Sequence, residues 1–318
     1  MVGAGAVGQV YGRHLALGGA RVTFLIRPKY RADLKDGMRL YPLNAGGQNT
    51  KPVHFTDFRL MTTDEDLESE SWDQVWLCVS SSALRKGWLA SLLKRVGKAT
   101  VVALQTGLKD RSLFLAHIPK ERLVNGLITL ISYPTPLPEE PASDRGSGMA
   151  YWVAPLSSQP FSGHKAQRDQ VIRALNLGGM KAKMHPDVAK LSAFPAAILM
   201  SLMMSLEGAG WSFSAFASGS RLSEAVVVVK EALVIAAHHY QCPPPWWRRL
   251  ISPGLIRLAL ALAPRIIPLP VEPYLQFHFS KVGDQTRLYI DTYLEKGRSL
   301  GLPTEAMAGM SAEVFSMP

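Results

Sequence analysis

The sequence predicts an α/β N-terminal domain with a mainly parallel sheet, followed by an all-α C-terminal domain. Three observations carry this. A G-x-G-x-x-G turn at Gly3, Gly5 and Gly8 opens a βαβ unit. Strand-like and helix-like runs alternate through the first half. After His185-Pro186 the apolar runs take helical spacing.

The glycine turn leads into a helix-like stretch to Leu17, a stop at Gly18-Gly19 and a strand over Arg21–Ile26. Gly3 suits the tight turn, Gly5 the approach of a pyrophosphate, and Gly8 the packing of helix on sheet. Ala6 and Val7 lie at the helix start, whose free N–H groups and positive dipole end favour phosphate. A glycine-rich turn without a ligand competes, but turn, helix, stop and second strand in order weigh against it. The pattern is that of a Rossmann-like dinucleotide-binding domain. Arg27, with Lys29 and Arg31 behind it, ends the second strand about twenty residues beyond the glycines, where an acid would select NAD. A guanidinium there suits a ribose 2′-phosphate, so NADP is the expected cofactor, against the alternative of an ordinary solvated charge. Only Met1 and Val2 precede Gly3, and a missing central strand would leave its neighbours without ladder partners. A start upstream of Met1 is favoured over an unusually short strand.

Further along, Gln74–Val79 is a buried-strand run followed by Ser80-Ser81-Ser82, and Ala99–Leu104 is another ending at Gln105-Thr106-Gly107. Ligands bind at the carboxyl ends of such strands, which makes Ser80 and Thr106 candidate site walls. Leu123–Ile131 reads as one further strand and Pro134–Gly148 as an exposed loop. Tyr151–Ala154 and Lys181–Met184 are short strands flanking a helix from about Gly163 to Leu177. The domains are therefore 1–184 and 185–318.

In the second domain Leu191–Leu206 is an uncharged helix with Pro195 in its first turn. Met200, Met203 and Met204 at helical spacing read as core filling rather than as part of a membrane span, which needs more residues. Ser223–Tyr240 and Leu275–Gly301 are further helices. Between them lies an insertion at about 243–273. It runs from Pro243-Pro244-Pro245-Trp246-Trp247-Arg248-Arg249 through an apolar helix at Gly254–Ala263 to Pro264, Pro268, Pro270 and Pro273. Trp beside Arg ahead of an apolar helix fits packing or a homodimer contact, a lid, or an interfacial membrane anchor, in that order.

A chain of 318 residues that is 47% hydrophobic has ample core for two domains. Cys78 and Cys242 form no CxxC pattern and fit a reducing, cytoplasmic setting without a structural metal. His238 and His239 are consecutive on a helix and point to different faces, which disfavours a metal pair. The N-terminus is strand and glycine turn rather than a basic then apolar leader, so no signal peptide is expected. The net charge of +10 is scattered, with small clusters only at Arg27–Arg31 and Arg248-Arg249. That argues against a nucleic-acid stripe and permits anionic ligands or weak membrane-surface contact.

The stretch Gly3–Arg27 resembles the ketopantoate reductase (2-dehydropantoate 2-reductase) family. Gln105-Thr106-Gly107-Leu108 is similar to that family's Q-N-G-[LV] turn, and Asn125-Gly126, Ala174-Leu175-Asn176 and Gly178-Gly179 sit in family order. The resemblance implies an NADPH-binding domain, a helical second domain, and hydride transfer to the ketone of a small 2-oxo acid in pantothenate biosynthesis. The implied partner is a small anionic carbonyl compound. The chain also departs from the family. Thr106 stands where the family has an Asn near the nicotinamide, and Ser80 where it has a cofactor-holding Lys. Tyr289 occupies the place of its late Glu. The catalytic Lys of its W-x-K-L-x-x-N pattern matches Lys190-Leu191 only across a deletion, which puts Phe194 at the Asn position.

Ketone reduction needs a hydride, a proton donor and a cation for the carboxylate. Lys190 is the candidate proton donor, with Lys281 and Asp284 as further ionisable residues of interest. The implied activity is an NADP(H)-dependent oxidoreductase acting on a 2-oxo acid or related carbonyl. The alternative is a non-catalytic NADP-binding sensor or partner protein that has lost the acid.

Overall fold

The computed structural model describes residues 1–63, 65–138 and 146–316. The chain divides into two units, Met1–Thr106 with Asp110–Ala189, and Gly107–Lys109 with Lys190–Pro318. The division follows Ala189 rather than residue 184. His185 N–H donates to Phe161 O (2.8 Å) and Val188 N–H to Ser162 Oγ (3.1 Å), which ties 185–189 to the first unit's sheet.

The first unit contains strands β1 (Thr23–Leu25), β2 (Met38–Pro42), β3 (Val53–Phe55), β4 (Arg59–Met61), β5 (Gln74–Leu77), β6 (Thr100–Ala103), β7 (Leu123–Gly126), β8 (Leu130–Thr135), β9 (Gly148–Val153), β10 (Gln159–Gly163) and β11 (Ala182–Met184). Its helices are α1 (Ala6–Leu17), α2 (Arg31–Leu34), α3 (Ser81–Leu84), α4 (Leu89–Arg95), α5 (Asp110–Leu115) and α6 (Lys165–Leu177). The main sheet runs β5-β6-β7-β10-β11, parallel except between β7 and β10, with a parallel β1-β4 pair beyond its other edge.

Val2 joins these two pieces through parallel bridges to Leu25 and Leu77. Leu25 N–H donates to Met1 O (2.8 Å), Val2 N–H to Trp76 O (2.8 Å), Gly3 N–H to Leu25 O (3.0 Å) and Cys78 N–H to Val2 O (3.0 Å). Met1–Gly3 therefore supply ladder partners to both neighbouring strands.

Side chains alternate across the main sheet with a period of two. Val75, Leu77, Val101, Ala103 and Leu123 face a core built with Leu89, Leu92, Leu93 and Phe114. Trp76, Val102 and Val124 face the opposite core, with Val10, Tyr11, Leu15, Val171 and Leu175 from α1 and α6. A second sheet, β3-β2-β9-β8, contributes Leu40, Leu130 and Tyr151 to that same core.

The single strand expected over Leu123–Ile131 is in fact two strands in different sheets. Gly126 pairs with Phe161 and Leu127 N–H still donates to Pro160 O (3.1 Å), after which the chain leaves the main sheet. Leu130 then pairs with Val153. The expected loop over Pro134–Gly148 is corrected at both ends. Pro134 pairs with Met149 and Thr135 with Gly148 inside the β8–β9 ladder, while 139–145 lie outside the described residues.

The second unit is helical: α7 (Val188–Glu207, which starts on the first unit's last residues), α8 (Phe213–Ser218), α9 (Arg221–His239), α10 (Pro253–Ile266), α11 (Val271–Lys281), α12 (Gly283–Ser299) and α13 (Glu305–Phe315). α9 is its centre, with residues from Leu222 to Ala237 buried around most of its circumference. Met203 and Met204 are buried in the same core and Met200 packs against it. α7 begins at Val188, so Pro195 lies two turns inside the helix rather than in its first turn. α7 is also long and apolar enough to cross a membrane, yet half of that window is buried inside the protein. The one helix expected over Leu275–Gly301 breaks at Val282, whose φ of −112° and ψ of 24° leave the helical region and divide α11 from α12.

Candidate functional site at the glycine turn

The parallel strands β1, Val2, β5 and β6 end on the same edge of the main sheet. Their successors there are Arg27, Gly3, Ser80 and Thr106. The structure thus brings four of the expected site residues to one edge through topology alone.

The glycine turn divides its work among three positions. Gly3 has φ +95°, and a Cβ there would lie 3.0 Å from Cys78 O. A Cβ on Gly8 would stand 2.3 Å from Gly3 O and 3.2 Å from the Cys78 Cβ, so only a glycine lets α1 approach the turn. Gly5 differs: its φ of −74° is open to any residue, and a Cβ there would meet nothing within 4 Å. Stereochemistry and packing of the chain itself leave Gly5 free, so the space in front of it suits a ligand rather than a neighbour. Gly5 is the N-cap of α1, and no side chain caps the helix. Ala6 and Val7, half-buried, are its first two residues and present N–H groups that lie before the first helical bond, from Gln9 N–H to Gly5 O (2.9 Å). Beneath the turn, burial pushes the Cys78 thiol up to about 12, so it stays a protonated packing group.

At the end of β1 the Arg27 Nη2 donates to the Tyr30 hydroxyl (2.8 Å), and its guanidinium carbon sits 5.1 Å from the Tyr30 ring centroid. Lys29 Nζ lies 5.0 Å from the same centroid. Each cation–π contact at an exposed site contributes about 0.5–1 kcal/mol, enough to favour one arrangement of these cations around the phenol ring. Sequence reasoning found Arg27 and Lys29 but missed Tyr30, whose signal was its place between them and the helix that follows.

Ser80 does not act as a cation would. Its Oγ caps α3 by accepting Ala83 N–H (3.2 Å) and shares a hydrogen bond with Ser82 Oγ (2.9 Å). Two residues that sequence reasoning left without a role hold this tip in place. Gln105 Nε2 donates to Leu77 O (2.9 Å) and Val79 O (2.6 Å), clipping the end of β5 to the end of β6. Those two carbonyl acceptors define which end of the amide is NH2, and the buried Oε1 is left without a partner. Asp110, 1% exposed, accepts Ser81 Oγ (2.7 Å) and pairs with Arg85 Nη2 (2.8 Å). Thr106 stands half-buried at the tip of β6.

The residues present fit a dinucleotide: an uncapped helix start behind open space, a cationic platform one strand away, and an orphaned acceptor on Gln105. Residues 1–135 match the family model for ketopantoate reductase PanE/ApbA. This stretch is similar to the N-terminal part of that family. No curated relative matches the chain. Solved structures similar over its whole length include D-mandelate dehydrogenase in a ternary complex with NADH and anilino(oxo)acetate, at 13% identity and TM-score 0.71. The 2-dehydropantoate 2-reductase of Geobacter metallireducens GS-15 gives 14% and 0.70, and the PanE/ApbA family ketopantoate reductase of Ralstonia eutropha JMP134 gives 15% and 0.70. Each comparison covers 99% of this chain and 97% of the other. At these identities the likeness establishes the fold, an α/β unit followed by a helical one.

Away from the ketopantoate reductase-type glycine turn, the remaining expected residues lie on the helical half. Lys190 is exposed in the first turn of α7. Lys281 is exposed with its Nζ 5.7 Å from the Phe277 ring centroid, and Asp284 is exposed in the first turn of α12. Phe194 packs edge-on against Trp247, with ring centroids 6.4 Å apart. Tyr289 stacks on Tyr293 at 4.5 Å and its hydroxyl donates to the Tyr293 hydroxyl (2.7 Å).

Proposed function

We propose that the chain is an NADP(H)-dependent oxidoreductase that transfers a hydride to the ketone of a 2-oxo acid or a related anionic carbonyl compound. The observation that carries this is the open space at Gly5 in front of the uncapped α1 start, one strand from the Arg27–Tyr30–Lys29 platform. The α1 N–H groups would hold the pyrophosphate, and Arg27 would hold the 2′-phosphate by charge-assisted bonds. The Gln105 Oε1 supplies a fixed acceptor at the tips of β5 and β6. The nicotinamide supplies the hydride when bound. Lys190 is the proposed proton donor to the developing alkoxide.

A specific observation favours a second reading, a non-catalytic NADP-binding protein. Three positions that carry functional residues in the family are spent on structure here: Ser80 caps α3, Phe194 packs on Trp247, and Tyr289 stacks on Tyr293. Titration with NADPH and NADH, followed by turnover with a panel of 2-oxo acids, separates the readings. Tight NADPH binding with turnover supports the enzyme, binding without turnover supports the second reading, and no binding of either nucleotide sinks both. Within the same titration, Arg27→Asp should abolish the preference for NADPH over NADH, by on the order of ten-fold to a hundred-fold. An unchanged preference would remove Arg27 from the 2′-phosphate site.

A further inference from the structure

Helix α10 has two apolar faces where a surface helix has one. Ile256 and the half-buried Leu260 face the core of the second unit. Leu255, Leu258, Leu262 and Ile266 are 48%, 56%, 41% and 65% exposed. At about 100° per residue these four fall within a single stripe roughly 80° wide. Trp246 and Leu250, at 75% and 60% exposed, add to the apolar surface just before the helix. Six of the sixteen exposed large hydrophobic side chains of the described residues thus lie between Trp246 and Ile266.

The charge along this stretch of chain has one sign. Residues 243–271 contain Arg248, Arg249, Arg257 and Arg265 and no Asp, Glu or Lys. Among the described residues none of the four makes an ion pair; Arg257 Nε donates to Ala217 O (2.8 Å) and Arg265 to Ala261 O. The nearest acid along the chain, Glu272, accepts the Phe213 N–H (2.6 Å).

We infer that α10 with the Trp246–Leu250 segment docks onto an anionic lipid bilayer surface, the leucine stripe and Trp246 entering the headgroup boundary and Arg249 and Arg265 meeting the lipid phosphates. Length, charge and composition favour this occupant. At 14 residues α10 is about 21 Å long, too short for a hydrocarbon core of about 30 Å, so it lies in the interface rather than spanning it. A second copy is disfavoured because an isologous contact would set the arginines of one patch against those of the other with no acid to pair them. An anionic surface complements the exposed Arg249 and Arg265, the latter beside the stripe, whereas Arg257 points away from it toward Ala217.

The test is co-sedimentation of the full chain with vesicles of phosphatidylcholine alone or of phosphatidylcholine with phosphatidylglycerol. Binding is expected to the mixed vesicles, to weaken as salt rises, and to be slight on phosphatidylcholine alone. Arg249→Gln and Arg265→Gln should each lower partitioning roughly five-fold. Leu258→Asp and Leu262→Asp, at exposed positions where thermal unfolding should match the parent, should each lower it by on the order of ten-fold. Brominated lipid should quench the parent's fluorescence more than that of Trp246→Phe. Absent binding, equal binding to both vesicle types, or binding indifferent to Leu258→Asp each overturns the proposal. A dimer that Leu258→Asp dissociates, with no vesicle binding, would assign the same face to a second copy instead.

Discussion

Two alanine substitutions in the glycine turn should separate folding from ligand binding. In Gly8→Ala the new methyl would stand 2.3 Å from Gly3 O, and the atom it meets is backbone that cannot rotate away. Overpacking of this kind costs about 3 kcal/mol at the upper end, while the helix propensity gained from glycine to alanine returns about 1 kcal/mol. The clash wins, leaving a net loss of about 2 kcal/mol, or a Tm lower by roughly 4–8 °C for a chain of this size. In Gly5→Ala the methyl meets nothing within 4 Å, and φ is already ordinary. The only structural cost is alanine's poorer N-cap character, about 0.5 kcal/mol and roughly 1–2 °C. The same methyl would occupy the space proposed for the pyrophosphate and should weaken NADPH binding about ten-fold, equivalent to ~1.4 kcal/mol. Thermal unfolding and fluorescence titration of NADPH on both variants give the comparison. Gly8→Ala as stable as the parent would refute the close-approach argument. Gly5→Ala binding NADPH as tightly as the parent would refute the phosphate site.

Two further outcomes follow from buried groups. Asp110→Ala removes the acceptor for Ser81 and the partner of Arg85; because the Arg85 side chain is 27% exposed and regains water, the cost should be about 2–3 kcal/mol rather than that of a fully buried pair. A Tm change under about 1 °C would show that this network does not hold the β5 tip. Burial also holds His14, His239 and His278 below their ordinary value of 6.5, with the His14 Nδ1 against Gly178 O (2.7 Å) opposing the shift. Depressed folded-state values mean that the unfolded chain binds the extra protons, so stability is complete above about pH 7 and is lost as pH falls through 6.5 and below. Tm measured from about pH 8 to pH 5 should fall toward acid, less steeply in His14→Gln, and an unchanged slope in that variant would exonerate His14.

What was legible in the sequence was local. The glycine turn, α1, its stop and Arg27 are specified within one βαβ unit. Gln105 and Asp110 were not legible because their partners, Leu77, Val79 and Ser81, lie 26 to 29 residues away and meet them only when β5 and β6 pair. The ladder at Met1–Gly3 was not legible for the same reason. Its hydrogen bonds reach Leu25 and Trp76, and a length of chain says nothing about whether such partners exist. The apolar run Leu123–Ile131 looked continuous because its two halves pair with different strands, β10 and β9, that come later in the chain. In the helical half, strong periodicity placed α7 and α9, while the break at Val282 left no mark in the apolar pattern.

The substitutions at family positions bear on catalysis through what replaced them, not merely through what is absent. A solvated surface residue at any of these places would leave room for another group to take over its chemistry. Here each replacement is engaged. The Ser80 hydroxyl is committed to Ala83 N–H and Ser82, and the Phe194 ring is held against Trp247. The Tyr289 proton is donated to Tyr293, whose own hydroxyl burial pushes above its ordinary range. A phenol committed in this way is a poor proton source for a ligand, because releasing its proton outward would leave a buried hydroxyl unpartnered. On the proposed reading, Lys190, Lys281, Asp284 or water is then left to supply the proton for a developing alkoxide. A Lys190→Met variant that binds NADPH normally and keeps full turnover would point to one of the other three.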